Sequence, residues 1–131
     1  MPTMEELDLL RAAVAVALAD GELRRAEKGV LEGLATRAGV GRTSFEAMVA
    51  AAERGELVLD NIIIRPRDRA ERAIELLVAQ ARIDGHVAAE EREVIVRLAI
   101  DLGIAGDDFA RVYEAGIQRA DQLRKTRRPS R

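Results

Sequence analysis

The chain repeats itself at an offset of 64 residues, and this constrains what it can fold into more than any other feature. Ala19-Asp20-Gly21-Glu22-Leu23-Arg24-Arg25-Ala26-Glu27 returns as Ile83-Asp84-Gly85-His86-Val87-Ala88-Ala89-Glu90-Glu91. The correspondence continues without a gap on both sides. Val14, Ala15 and Ala17 pair with Val78, Ala79 and Ala81, and Leu34, Gly39 and Phe45 pair with Leu98, Gly103 and Phe109. Self-similarity at a fixed period marks one supersecondary unit used twice, with each copy burying its apolar face against the other.

The unit reads as three helices. In the first copy an apolar stripe at Leu7, Leu10, Val14 and Ala17/Leu18 follows a capping pair, Thr3 with Glu6, and ends at Asp20-Gly21. A second helix is predicted from about Arg24 to Ala38, with Val30, Leu31, Leu34 and Ala35 inward and Gly39 closing it. Thr43 and Glu46 form a capping pair for a third, which would bury Phe45, Met48, Val49 and Ala52 before Gly55. The second copy follows the same plan. Pro66 suits the first turn of the fourth helix, whose stripe is Ala73/Ile74, Leu77/Val78 and Ala81; Val94, Ile95 and Leu98 line the fifth, and Asp107 caps a sixth that buries Phe109, Val112, Tyr113 and Ile117. The expectation is a compact all-α domain of two pseudo-symmetric three-helix repeats over residues 1–122. Repeat one spans about 5–55, a connector 56–65, and repeat two about 66–120, ahead of a basic tail at 123–131. The connector holds Leu57-Val58-Leu59 and Ile62-Ile63-Ile64, too aliphatic to stay solvated. It is expected to pack across the two copies or, alternatively, to present a strip to a partner.

Composition supports helices and narrows the function. Hydrophobic residues make up 48% of the 131, but aromatics only 2%, so the core must be Ala, Leu, Val and Ile. The net charge of −2 divides into +5 on residues 123–131 and −7 on the rest. An acidic body does not suit nucleic acid, and the short basic tail reads as a frayed terminus. Without cysteine there is no disulfide or thiolate site. The apolar stretch Ala12–Ala19 is far too short to span a membrane, and Glu5 and Glu6 stand where a signal peptide would be basic. A soluble, cytoplasmic protein with protein partners, no nucleic acid and no membrane insertion is expected; a homo-oligomer is left open.

The chemistry concentrates in the repeated segment Asp-Gly-x5-Glu. An Asp-Gly pair alone is a good turn, but the glutamates also return, at Glu27 and Glu91. Asp-Gly-x-apolar-x3-Glu is the second half of a calcium-binding EF-hand loop, whose last residue is the bidentate ligand. The first half is absent: its leading positions fall on Val16 and Leu18 in one copy and on Gln80 and Arg82 in the other. A hard cation takes six or more oxygens. Neither segment suffices alone, but Asp20, Glu27, Asp84 and Glu91 together, with backbone carbonyls, would suit a divalent metal ion, with Ca, Mg, Mn and Zn not distinguished. The competing reading is structural, since the two glutamates stand where acids can hydrogen-bond the vacant backbone amides at the starts of two helices.

The doubled motif, each copy followed by a helix and a Gly-apolar break, resembles the tellurite-resistance protein B (TerB-like) family over roughly residues 5–120. That family includes the N-terminal domain of a membrane-anchored J-domain co-chaperone. The resemblance implies an all-α fold of two pseudo-repeats, no catalytic activity, and an accessory role in stress response or resistance to toxic anions. It also implies a shared acidic site for a divalent metal, carried here by Asp20, Glu27, Asp84 and Glu91. The second copy departs from the motif in reading Ile83-Asp84-Gly85 and in placing His86 opposite Glu22.

Other functions find less support. Leu34 to Phe45 has the spacing of a helix-turn-helix, with Arg37 and Arg42 available for phosphate. The second copy keeps that spacing but carries Asp101, Asp107 and Asp108, so the pattern is read as shared helix packing. An enzyme is not expected: His86 is the sole histidine, Ser44 and Ser130 have no base placed beside them, and no phosphate-binding glycine loop occurs. The alternative to the cation reading is a metal-independent interaction module that docks a partner through the connector or a helix face.

Overall fold

A computed structural model of the chain describes residues 4–19, 21, 23, 25–57, 59, 62, 64–83 and 85–127, with the side chains of Ala26, Thr126 and Arg127 set aside. Among the described residues six helices form: α1 Met4–Ala17, α2 Arg25–Ala38, α3 Arg42–Glu53, α4 Arg67–Ala81, α5 Ala89–Asp101 and α6 Gly106–Arg127. No strand occurs among the described residues. Three of the six paired helix boundaries keep the offset of the sequence. α1 and α4 end at Ala17 and Ala81, α2 and α5 begin at Arg25 and Ala89, and α3 and α6 begin at Arg42 and Gly106.

α1 is buried nearly all round, which is the signature of a central helix rather than a surface one. Ala12, Ala13, Val14, Val16 and Ala17 are each fully enclosed, with Leu10 just N-terminal to them. Small alanines let neighbouring helices approach closely, and α1 meets α2, α3, α4 and α5. α4 meets α5, α6, α1 and α2, and it buries Ala73, Ile74, Leu77, Val78 and Ala81. Apart from half-buried Leu7, the predicted stripes of both helices are thus the core of one compact domain. Burying a side chain such as Leu31, Ile74, Leu77 or Ile95 contributes about 1.5–3 kcal/mol. Between the two central helices, the enclosed Gln80 Nε2 donates to the Ala13 carbonyl at 2.9 Å. Gln80 thus ties the two halves together, at a position where an EF-hand would need a ligand.

The connector joins this core. Ile62 and Ile64 are buried, while Leu57 and Leu59 pack half-buried against it. Ile63 and Val58 lie outside the described residues. At the connector's end, the Arg65 N–H and Arg69 Nη1 donate to the two oxygens of Glu5, at 3.2 and 3.1 Å, linking it to the start of α1.

Three local expectations need correction. Thr43 does not cap α3, because the helix starts at Arg42 with Gly41 as its N-cap and no side-chain cap bond. Thr43 is exposed there, and solvent can satisfy the first amides without a side chain. Asp107 likewise sits inside the first turn of α6, where its charge suits the positive helix end. Pro66 is the residue just before α4 rather than part of its first turn. Thr3, the expected cap of α1, lies outside the described residues.

The halves differ most in their last helix. α3 stops at Gly55, which takes a φ of +71° while the Glu56 N–H reaches back to the Ala51 carbonyl at 2.8 Å. Only glycine adopts that conformation cheaply. The corresponding residue of the second half is Arg119, which stays helical, so α6 continues for 22 residues to Arg127. It therefore carries the first part of the basic segment that was expected to fray, and the expected boundary at 122 falls inside it. α6 lies along α4, crossing closely at Gly116 and bridged by Arg67–Asp108 (2.8 Å), Arg111–Glu71 (3.0 Å) and Arg119–Glu75 (3.4 Å). These exposed ion pairs fix alignment more than they stabilise.

Candidate functional site

Glu27 and Glu91 hold the third position of α2 and α5 respectively, and both are enclosed: 1% and 0% of their surface is exposed. The Ala88 N–H, just before α5, donates to Glu91 Oε1 at 3.0 Å. Ala88 has no side-chain oxygen to cap the helix, so Glu91 supplies the returning half of a capping box on its own. The structural role expected for the glutamates is therefore realised at Glu91. Oε2 of Glu27 and of Glu91 is also sealed from solvent. Surface helices seldom enclose a carboxylate, because leaving water costs several kcal/mol unless charge or hydrogen bonds compensate. Two enclosed acids at matching positions of both halves are therefore a shared feature of the repeat.

The other two predicted ligands, Asp20 and Asp84, lie outside the described residues. The glycines that follow them are described, and both have positive φ, +82° at Gly21 and +108° at Gly85. The turns close alike, with the Gly21 N–H donating to the Leu18 carbonyl at 2.9 Å and the Gly85 N–H to the Arg82 carbonyl at 2.8 Å. α2 and α5 both rest on the same central pair, α1 and α4. Among the described residues, no group of three or more His, Cys, Asp or Glu side chains converges as a metal centre would.

The second turn has a cationic neighbour that the sequence did not single out. Arg124, near the end of α6, lies so close to Gly85 that a Cβ there would sit 2.9 Å from its Nη1. Arg124 Nη2 also donates to Asp121 at 2.9 Å, and Arg82 reaches the same carboxylate at 3.3 and 3.4 Å. Partial loss of solvent pushes the Asp121 carboxyl up, but the hydrogen bonds from Arg124 and Arg82, with their charges, outweigh it and hold the group below the usual carboxylate range. His86 is exposed. The α2–α3 turn expected from the helix-turn-helix spacing closes with the Val40 N–H on the Ala35 carbonyl, and the second half does the same with Ile104 on Ala99, both at 2.8 Å. That spacing is a helix-ending hydrogen bond common to both copies.

One feature of the surface is not apparent from either copy of the sequence alone. Of the stripe expected to be buried on α3, only Phe45 is enclosed, and Met48, Val49 and Ala52 are half-buried. Between α2 and α3 a cleft of about 840 Å³ opens, floored by Ala35, Phe45 and Val49 and walled by charged side chains. Its signal in the sequence is the presence of Val49 where the second copy, at the same offset, has Tyr113.

No described helix is long and apolar enough to cross a membrane. Compared with family models, with curated proteins and with solved structures, the chain shows no match to any of them.

Proposed function

We propose that this chain is a non-enzymatic, cytoplasmic TerB-like domain that serves a stress-response or tellurite-resistance system as an accessory. In this reading Asp20, Glu27, Asp84 and Glu91 form one shared site for a divalent cation. The observation that carries it is the enclosure of both Glu27 and Glu91 at matching positions of the two halves. Helix capping alone is served by an exposed glutamate just as well, so capping does not require the burial. A divalent ion offsets the cost of gathering acids away from water. The common support of α2 and α5 on α1 and α4 brings the two halves onto one scaffold, as a joint site needs.

Isothermal titration of chelator-treated protein with Ca²⁺, Mg²⁺, Mn²⁺ and Zn²⁺ tests the site. One of these ions binding with a stoichiometry of one per chain supports it. Two independent and equal sites would contradict joint coordination, and no heat with any ion would leave the glutamates with capping alone. The rival, a metal-independent module docking through its connector, finds Ile62 and Ile64 already committed to the core.

A further inference from the structure

The two halves line the seam between their second and third helices with different side chains. In the second half aromatic side chains line the seam between α5 and α6, with Phe109 and Tyr113 half-buried and Arg92 exposed. Tyr113, the eighth residue of α6, packs on Phe109 with ring centroids 5.6 Å apart, and the Arg92 guanidinium lies 5.5 Å from the Tyr113 ring centre. Arg92 is the fourth residue of α5. Edge-tilted ring pairs and a guanidinium over a ring face are both favourable arrangements.

The first half keeps every part of this arrangement but the ring. Phe45 stands for Phe109 and the cation Lys28 for Arg92, whereas Val49 stands for Tyr113. The result is the open cleft of about 840 Å³, with Lys28, Phe45 and Val49 all in its lining. Its walls have diverged in the same direction. Glu32, Glu46 and Glu53 line the cleft where the second half has Val96, Ala110 and Ile117. All three glutamates are exposed, and with Lys28 and Arg42 they leave the walls one negative charge in excess.

We propose that the α2–α3 cleft docks an aromatic side chain of a partner protein, presented on a basic segment. The ring would lie over Phe45 beneath Lys28, as Tyr113 lies against Phe109 and Arg92. The flanking Lys or Arg residues would meet Glu32, Glu46 and Glu53. A chain segment suits the cleft better than an enclosed small molecule, because its charged walls are solvent-exposed and only its floor is apolar. The cleft borders the first acidic segment at Leu23, but the docking calls for no metal ion.

The test uses the full ¹⁵N-labelled chain and a short synthetic peptide with one tyrosine between arginine pairs, read by amide shifts. Saturable shifts at Lys28, Phe45, Glu46 and Val49 are expected, lost when the peptide's tyrosine becomes alanine or its arginines become glutamates. Val49→Tyr, which restores the ring of the second half, should weaken binding at least tenfold while its melting temperature stays level or rises. If that variant folds poorly, Glu46→Lys/Glu53→Lys, changed only at exposed positions, should produce the same tenfold loss. Binding that survives either variant, or that ignores the tyrosine, overturns the proposal. Concentration-dependent self-association through the cleft, abolished by Val49→Tyr, would overturn it in favour of a second copy of this chain.

Discussion

Gly116→Ala should destabilise the protein although it adds a better helix former. Gly116 lies inside α6 where that helix crosses α4. A Cβ there would stand 2.6 Å from Val78 Cβ, 2.7 Å from Val78 Cγ1 and 2.8 Å from the Glu75 carbonyl oxygen. All three are far inside van der Waals contact, and none can turn away. Val78 is fully enclosed and β-branched, with its χ1 fixed on a helix, and the carbonyl is backbone. The helices must therefore separate. Overpacking of this kind costs about 1–3 kcal/mol, and the rigid surroundings put this site near the upper end. The gain in helix propensity returns about 1 kcal/mol, leaving a net loss of about 1–2 kcal/mol, or roughly 5 °C in melting temperature. Gly29→Ala provides the control, since nothing lies within 4 Å of a Cβ on that exposed turn of α2. It should stabilise by about 0.5–1 kcal/mol. Urea unfolding of both variants separates the two effects, because the chemical change is identical. A double-mutant cycle with Val78→Ala should return only a few tenths of a kcal/mol of favourable coupling, because alanine removes Val78 Cγ1 but keeps the Cβ, and the Glu75 carbonyl stays in place. A Gly116→Ala protein as stable as Gly29→Ala would refute the close crossing.

The two roles of Glu91 can be separated by substitution. Glu91→Ala removes the acceptor for the Ala88 N–H and opens a void, and it should cost about 2–4 kcal/mol in denaturant unfolding. Glu91→Gln keeps an acceptor oxygen and the volume while removing an enclosed charge, so in metal-free buffer it should retain most of the stability. Asp121 predicts a pH dependence. Its folded pKa lies below the ordinary value of 3.8, so its pairing with Arg124 and Arg82 stabilises above that value and is lost as pH falls through the folded pKa. The stability difference between wild type and Asp121→Asn should therefore be present at neutral pH and fade as pH falls below 3.8 and through the folded pKa in urea titrations. The effect will be small and salt-sensitive, because Arg124 is exposed and Asp121 and Arg82 are only half-buried.

Most of the architecture is legible in the sequence because it rests on features that one chain carries by itself. Apolar spacing locates the stripes of α1 and α4, and glycines close α2, α3 and α5. The offset of 64 residues, read from the residues alone, separates the ends of α1 and α4, the starts of α2 and α5 and the starts of α3 and α6. What escapes depends on solvent or on partners distant in sequence. Thr43 and Asp107 have the residue types of helix caps, but an exposed helix start can draw on water, so their sequence patterns do not decide where the helices begin. The length of α6 turns on one difference, Arg119 in place of Gly55. The burial of Gln80 against Ala13, 67 positions away, follows from how α1 and α4 cross and from nothing local. At the acidic segments the sequence identifies Glu27 and Glu91 as a matched pair. It does not foretell that both are enclosed, or that Arg124 rests on the turn at Gly85. The α2–α3 cleft is concealed because Val49 is an ordinary core residue until it is set beside Tyr113.

The central claim is that the two acidic segments act together on one cation, and thermal melting of chelator-treated protein against a divalent-metal panel tests it most directly. A cation present at 100 times its dissociation constant adds about 2.7 kcal/mol, or roughly 10 °C for a chain of this size. Such a rise is expected with one of the metals. Either Glu27→Gln or Glu91→Gln alone should abolish most of it, because a joint site loses its affinity when either half is removed. A melting temperature that no metal moves, or a shift that survives both substitutions together, would contradict the claim and leave the glutamates as buried caps of their helices.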